Sequence, residues 1–341
     1  MLKVDIGIFA HNEEKNIRQI IETVKQQDIF YSEQYSVKVF ILANGCKDNT
    51  IKFAQPLVDE TSKFEIVDLP ISGKSRTWNR FVHELSSKDA DQLIFCDSDI
   101  WFTKKNVLRD LSEGLNKNAM LSAMSSRPIK DLVLAQNRQS ITDKTIASSG
   151  DSFNNWKKSI CGQLYALTSS TARSIYLPIG LPVEDGYVRA MILTENMTSS
   201  ENLSKISGDE DIFHLYQSER TIKNLINHQT RIVIGSAINY IVFEELRQKN
   251  FTKKEMIEFT KSISENESWL GKLITLKLPS KKYGWVPWHF LIKRFKYVTS
   301  DRRKLLKPKK LILLILGVCF DLIVFIKAQY KMAKGSGAGY W

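Results

Sequence analysis

The chain has 341 residues, 43% of them hydrophobic, and a formal net charge of +12. That length and apolar content exclude a wholly disordered chain and suffice for one large domain or two ordinary ones. The charge is not spread along the chain: residues 281–341 hold fourteen Lys and Arg against two acidic residues, while residues 1–280 hold thirty-five of each sign, so no nucleic-acid partner is expected.

In chain order, MLKVDIGIFAHNEE enters what looks like a strand with no signal-like apolar run before the acidic pair, which predicts a cytoplasmic location. VDIGIFA (4–10), VKVFILA (37–43), KFEIVDL (63–69) and DQLIFCD (91–97) read as buried strands. The helical spacing of EEKNIRQIIETVKQQ, the region after Asp48 and GKSRTWNRFVHELSS separates them. Buried strands alternating with helices predict an α/β fold on a parallel sheet, with ligands beyond the carboxyl ends of the strands. Four polar clusters fall at those ends: His11–Glu14, Asn44–Asp48, Ser72–Arg76 and Asp97–Asp99.

Residues 101–245 are more irregular, with a helix after Phe102, a strand near MLSAMSS, a polar loop around 139–152, then GQLYALTSS and PVEDGYVRAMIL. Cys46, Cys96, Cys161 and Cys319 form neither a CxxC pair nor a disulfide ladder, which fits a reducing compartment.

Two carboxylates one residue apart follow the apolar LIFC of 93–96. They would cap a turn, or, as hard oxygen ligands, hold Mg2+ or Mn2+ and leave positions for a substrate's phosphates. A third reading joins Asp97 to Gly73-Lys74-Ser75 as a phosphate-loop ATPase. The loop's first glycine would be residue 68, which is Asp68, and a carboxylate there would obstruct the phosphate cradle.

AHNEEKNI at 10–17, ILANGCKDNT at 41–50, GKSRTWN at 73–79, DSD at 97–99 and GQLYAL followed by Glu184-Asp185 together resemble the ordered motifs of family 2 glycosyltransferases, over roughly 3–240. The resemblance implies a GT-A fold, a Rossmann-like, mostly parallel sheet flanked by helices, with a nucleotide-binding half at 1–100 and an acceptor-side half at 101–245. It implies an inverting transferase that uses a nucleotide sugar, a UDP-sugar being the expected donor, and Mn2+ or Mg2+. Ala10, Asn12 and Glu13 would face the nucleoside, and Asn44 would lie near base or ribose where the family usually has an acid. Lys74 would lie near the nucleotide. Asp97 and Asp99 would bind the metal, Asp99 more directly. Asp185 would be the general base, with Glu184 beside it.

Gln217 and Arg220 form QxxR, with Thr221 in place of the tryptophan of processive members, which favours transfer of a single sugar. Arg220 would contact the diphosphate and His214 would be a third metal ligand. A non-catalytic, membrane-tethered nucleotide-sugar-binding module is the alternative, motivated by Ala43-Asn44 and the missing tryptophan.

After a helical extension at 246–280, KKYGWVPWHFLIKRFKY (281–297) interleaves aromatic and basic residues ahead of the apolar run LILLILGVCFDLIVFI at 311–326. That composition predicts association with the cytoplasmic face of a membrane, with 311–326 either lying in the bilayer or spanning it, and a lipid or lipid-linked acceptor.

Overall fold

The computed structural model describes residues 1–59, 62–134, 156–277, 285–286, 288, 290–291 and 308–334. The polar loop at 139–152 and most of 281–297 lie outside them. An eight-stranded sheet runs through the molecule in the order β3-β2-β1-β4-β7-β6-β8-β5. Its first half, β3 (Phe64–Leu69), β2 (Tyr35–Asn44), β1 (Leu2–Ala10) and β4 (Gln92–Asp97), is entirely parallel. β7 (Leu164–Thr168) then joins β4 antiparallel, and β6 (Ala123–Lys130), β8 (Ile206–Tyr216) and β5 (Ile100–Trp101) complete a mixed half.

β1 and β4 are central strands buried on both faces, which is why they read as nearly continuous apolar runs. One face of β1, Val4, Ile6 and Ile8, packs on α1 (Ile17–Lys25), whose Ile17, Ile20, Ile21 and Val24 recur at helical spacing and are all buried. α2 (Thr50–Val58) and α4 (Val107–Asn116) cover the same side. The opposite face carries α3 (Lys74–Arg80), continued by a π turn over Phe81–Leu85, then α5 (Ser169–Arg173) and α6 (Glu184–Leu193). Gly7 lets the Phe81 ring approach the sheet: a Cβ there would lie 3.0 Å from it.

The 27-residue α7 (Ile222–Gln248) runs through position 245, so the acceptor-side half and the helical extension share one rod. α8 (Lys253–Ser264) begins with a capping box between Thr252 and Glu255. α9 (Trp269–Lys277) and α10 (Pro308–Ala333) follow. Met256, Ile263, Leu273, Val324, Phe325, Ala328 and Met332 belong to the same core cluster as β4 and α6, so the C-terminal helices share the main core. The apolar run 311–326 is thus part of a 26-residue helix that contributes to the main core. Among the described residues no helix is long and apolar enough to cross a membrane.

Candidate active site

The site is built on an aromatic stack. Phe95, two residues before Asp97 on the same face of β4, stacks on Tyr165 of β7 at 4.6 Å and on Trp78 of α3 at 5.3 Å. Trp78 Nε1 donates to the Tyr165 hydroxyl at 2.9 Å, inside the core. The rings pin α3 over the sheet. Lys74 is one turn before Trp78, so the same stack delivers the Lys74 side chain above Asp97.

There Lys74 Nζ lies 2.7 Å from Asp97 Oδ1 and 2.9 Å from Glu184 Oε1, and it donates to the Gly162 carbonyl at 3.4 Å. Its side chain is only 12% exposed. Burial works against the ammonium, but Asp97 and Glu184 hold it well above its ordinary range. Burial pushes the Asp97 carboxyl up to about 7, against the pull of Lys74 and helped by the charge of Asp99. We take the pair to be ionised near neutrality, because two carboxylates meet this one ammonium at hydrogen-bonding distance. Lys74 thus sets a positive charge directly against the first carboxylate of the DSD triplet.

The start of α3 is positioned from β2. Asn44 is 1% exposed, and its side-chain oxygen accepts from the Gly73 N–H at 2.8 Å. The residue expected near the nucleoside therefore fixes the backbone just before Lys74. Gly73 has φ +139°, a region only glycine enters freely. Gly45, at φ +60°, leaves no room for a Cβ, which would lie 2.7 Å from Ser72.

The first loop crosses the same crevice edge. Asn12, at φ +56°, accepts from the Lys47 N–H at 2.8 Å, and the buried Ala10 carbonyl accepts from the Cys46 thiol at 3.4 Å. Glu13 is bound by Asn16 Nδ2 at 2.7 Å, and burial, with Asp99 and Asp48 nearby, raises its carboxyl. Ser98 is buried and donates to the Phe9 carbonyl at 2.8 Å, which turns the chain so that Asp99 is exposed at the crevice mouth.

Glu184 and Asp185 form the first turn of α6. Asn239 of α7 donates to the Val183 carbonyl at 2.8 Å, and α7 can approach that closely because residue 235 is glycine: a Cβ there would lie 2.1 Å from Val183 Cγ2. Asp185 Oδ1 accepts its neighbour Gly186 N–H at 2.8 Å. Burial first, and then the charge of Glu184, push the Asp185 carboxyl up to about 6, with Lys74 and Arg231 pulling the other way. Gly162 abuts the carboxylate, since a Cβ there would lie 3.1 Å from Oδ2.

Two further candidates have partners of their own, and His214 reaches the 161–163 segment beside Lys74 and Asp185. Arg220 is in the loop before α7 and pairs with Asp131, whose other oxygen accepts the Ser218 N–H at 3.0 Å. Thr221, in the tryptophan's place, is the N-cap of α7 and accepts from the Asn224 N–H at 3.1 Å. His214 is fully buried, with Nδ1 2.9 Å from Ser126 Oγ and Nε2 3.3 Å from Gln163 Oε1. Burial pushes its imidazole down to about 3.

Among the described residues no three His, Cys, Asp or Glu side chains gather so as to hold a metal ion. The donor set fits a hard divalent cation held by Asp99, with Asp97 behind it, and completed by a ligand's own phosphates; it does not fit an all-protein cage. Arg231 and Gly235 are parts of the site that motif spacing does not reveal, while Trp78, Gly162 and Tyr165 fall within GKSRTWN and GQLYAL.

The profile of glycosyl transferase family 2 matches residues 5–173. The chain is a glycosyltransferase, similar over its first half to family 2. The match contains Lys74, the DSD triplet and Tyr165, and ends before Glu184. Among solved structures, the glycosyltransferase is similar to the mannosyltransferase PcManGT from Pyrobaculum calidifontis, solved with GDP-Man and Mn2+. Identity is 14%, the TM-score is 0.55, and the match covers 97% of this chain and 86% of that one. It is similar also to glucosyl-3-phosphoglycerate synthase from Mycobacterium tuberculosis, solved with Mn2+, UDP and glucosyl-3-phosphoglycerate, at 16% identity, TM-score 0.50, and coverage of 71% and 80%. At such identities the likeness establishes the shared fold. No curated protein matches the sequence.

Proposed function

We propose that this glycosyltransferase is an inverting, metal-dependent enzyme that moves a single sugar from a nucleotide-sugar donor, with a UDP-sugar as the first candidate, to a lipid or lipid-linked acceptor at the cytoplasmic membrane face. The observation that carries the reading is the bridge from Asp97 through Lys74 to Glu184, which sets a phosphate-neutralising cluster beside a buried acid pair. Asp185, its proton affinity raised by burial, accepts the proton of the acceptor hydroxyl. The hydroxyl oxygen bonds to the anomeric carbon as the bond to the diphosphate breaks. Lys74 stands where charge accumulates on the leaving group, and preorganised charge of this kind is a large term in transfer reactions. A Mn2+ or Mg2+ ion at Asp99 and Asp97 would supply Lewis-acid neutralisation of the diphosphate.

The two solved structures support the donor and metal classes, since one was obtained with GDP-Man and Mn2+ and the other with UDP and Mn2+. Thr221 supports transfer of one sugar, because it caps a helix and offers no ring to stack on a growing polymer. The basic, aromatic C-terminal composition supports the lipid acceptor.

A thermal-shift screen of nucleotide sugars with and without Mn2+ tests the reading, followed by product analysis with the stabilising donor. Stabilisation that requires both nucleotide and metal, and is weakened by Asp99→Asn, is the expected result. A chain that no nucleotide sugar stabilises, or an Asp185→Asn variant with full transfer, overturns it.

A further inference from the structure

Helix α10 has two apolar sides. Leu314, Val324, Phe325, Ala328 and Met332 are buried against the body of the enzyme, and Phe325 packs on Trp288 with centroids 5.4 Å apart. On the other side Ile315, Leu316, Leu322, Ile323, Ile326 and Tyr330 are 46–61% exposed. Their spacing of seven, eight, eleven and fifteen residues from Ile315 draws one stripe along the helix. Cys319 is exposed within it, and Trp288, 64% exposed, flanks it. A contiguous stripe of this kind marks an interaction surface.

Charge identifies the occupant. Residues 1–280 are balanced, and the entire excess of +12 falls in residues 281–341, which contain this helix. Lys331 and Lys334 follow the stripe at its C-terminal end, and Asp321 is the sole acidic residue of α10. An apolar stripe edged by Lys and interfacial aromatic rings, with no comparable acidic content, complements anionic lipid headgroups over an acyl layer.

We propose that this stripe is a docking surface for an anionic bilayer, on which α10 lies in the membrane plane without crossing it. The in-plane orientation follows from the buried side. Leu314, Val324, Phe325, Ala328 and Met332 pack on the enzyme, and Lys327 Nζ donates to Asn227 of α7 at 2.5 Å. A crossing helix would drag that polar body into hydrocarbon. The inference rests on the membrane clause of the proposed function and is independent of the sugar chemistry.

The test uses the full-length chain and vesicles of phosphatidylcholine, with and without about 30 mol% phosphatidylglycerol. Sedimentation with the anionic vesicles should be roughly tenfold stronger than with the neutral ones, and alkaline carbonate should release the protein. The triple variant Leu322→Gln, Ile323→Gln, Ile326→Gln keeps the charge and the buried side; it should lose binding by roughly tenfold or more while melting as the parent does. Equal binding by the triple variant, no preference for anionic vesicles, or retention after carbonate overturns the proposal. So does a dimer in light scattering that the triple variant dissolves while vesicle binding is absent. Binding of UDP and Mn2+, measured without vesicles on the same preparations, reports separately on the transferase reading.

Discussion

Asp97 and Glu184 share one ammonium: Lys74 Nζ lies 2.7 Å from the first and 2.9 Å from the second. The contact ties the end of β4 to the start of α6, elements that the sheet alone does not join. Lys74→Met would leave two buried carboxylates facing each other. Loss of one partner from such a cluster costs about 3–5 kcal/mol, and chemical denaturation should show it. Glu184→Gln in the same chain should return part of the loss, because the residues act as a unit, and strict additivity of the two substitutions would contradict that coupling.

Asp185 gives the reaction a pH signature. Its carboxyl is pushed up to about 6, so the rate should fall as pH drops through that value and the base becomes protonated. Asp185→Asn should lower kcat by about 10²–10⁴-fold and remove the limb. The raised value also means that the ionised form burdens the folded state, increasingly so as pH rises from the ordinary carboxyl range through about 6. At pH about 8 the variant should therefore melt at or above the parent temperature, and a marked drop would mean that Asp185 is mainly structural.

The aromatic floor can be taken apart stepwise. Trp78→Ala empties the space between Phe95 and α3 and should cost about 3–5 kcal/mol. Trp78→Phe keeps a ring on Phe95 but strands the Tyr165 hydroxyl, so the loss should be about 1–3 kcal/mol. Equal losses for the two would show that the 2.9 Å hydrogen bond carries no weight.

Two glycines provide a matched contrast. Gly235→Ala forces a methyl to within 2.1 Å of Val183; it should cost about 1–3 kcal/mol and shift Glu184, lowering activity. Gly271→Ala in α9 meets nothing within 4 Å. It should leave stability unchanged or raise it by about 0.5–1 kcal/mol.

Buried imidazoles make the fold sensitive to acid. His214 is pushed down to about 3 and His83, stacked on Tyr176 at 3.9 Å, to about 4. Both remain neutral in the fold where an unfolded histidine, near 6.5, takes up a proton. The unfolded state binds more protons over that interval, so stability falls with pH below about 6.5. In a denaturation series His83→Gln should flatten that slope relative to the parent. An unchanged slope would place the sensitivity elsewhere.

The parallel half was legible in the sequence because central strands are buried on both faces: 4–10, 37–43, 63–69 and 91–97 fall within one or two residues of β1 to β4. Lys74, Asp97, Asp99, Glu184 and Asp185 stood out as charged residues at element ends. Their partnerships did not, because an ion pair from 74 to 184 depends on how α3 and α6 are packed. Trp78 and Tyr165 fell within quoted motifs, but their stacking on Phe95 depends on tertiary packing. Arg220 was expected to contact the diphosphate, and its pairing with Asp131, eighty-nine positions away, was not legible. The run at 311–326 hid its two sides because both are apolar, and only packing on α7 distinguishes buried Val324 from exposed Ile323.

Helix α7 touches both ends of the enzyme's business. At Asn227 it takes the Lys327 ammonium of α10, and from Gly235 to Asn239 it seats Val183, the residue before Glu184. The two contacts are eight to twelve residues apart, about 12–18 Å along one continuous helix. The contact to α10 and the seat of the acid pair are thus carried by one helix. On the membrane docking proposed above, that helix would set the level at which Asp185 meets an acceptor hydroxyl.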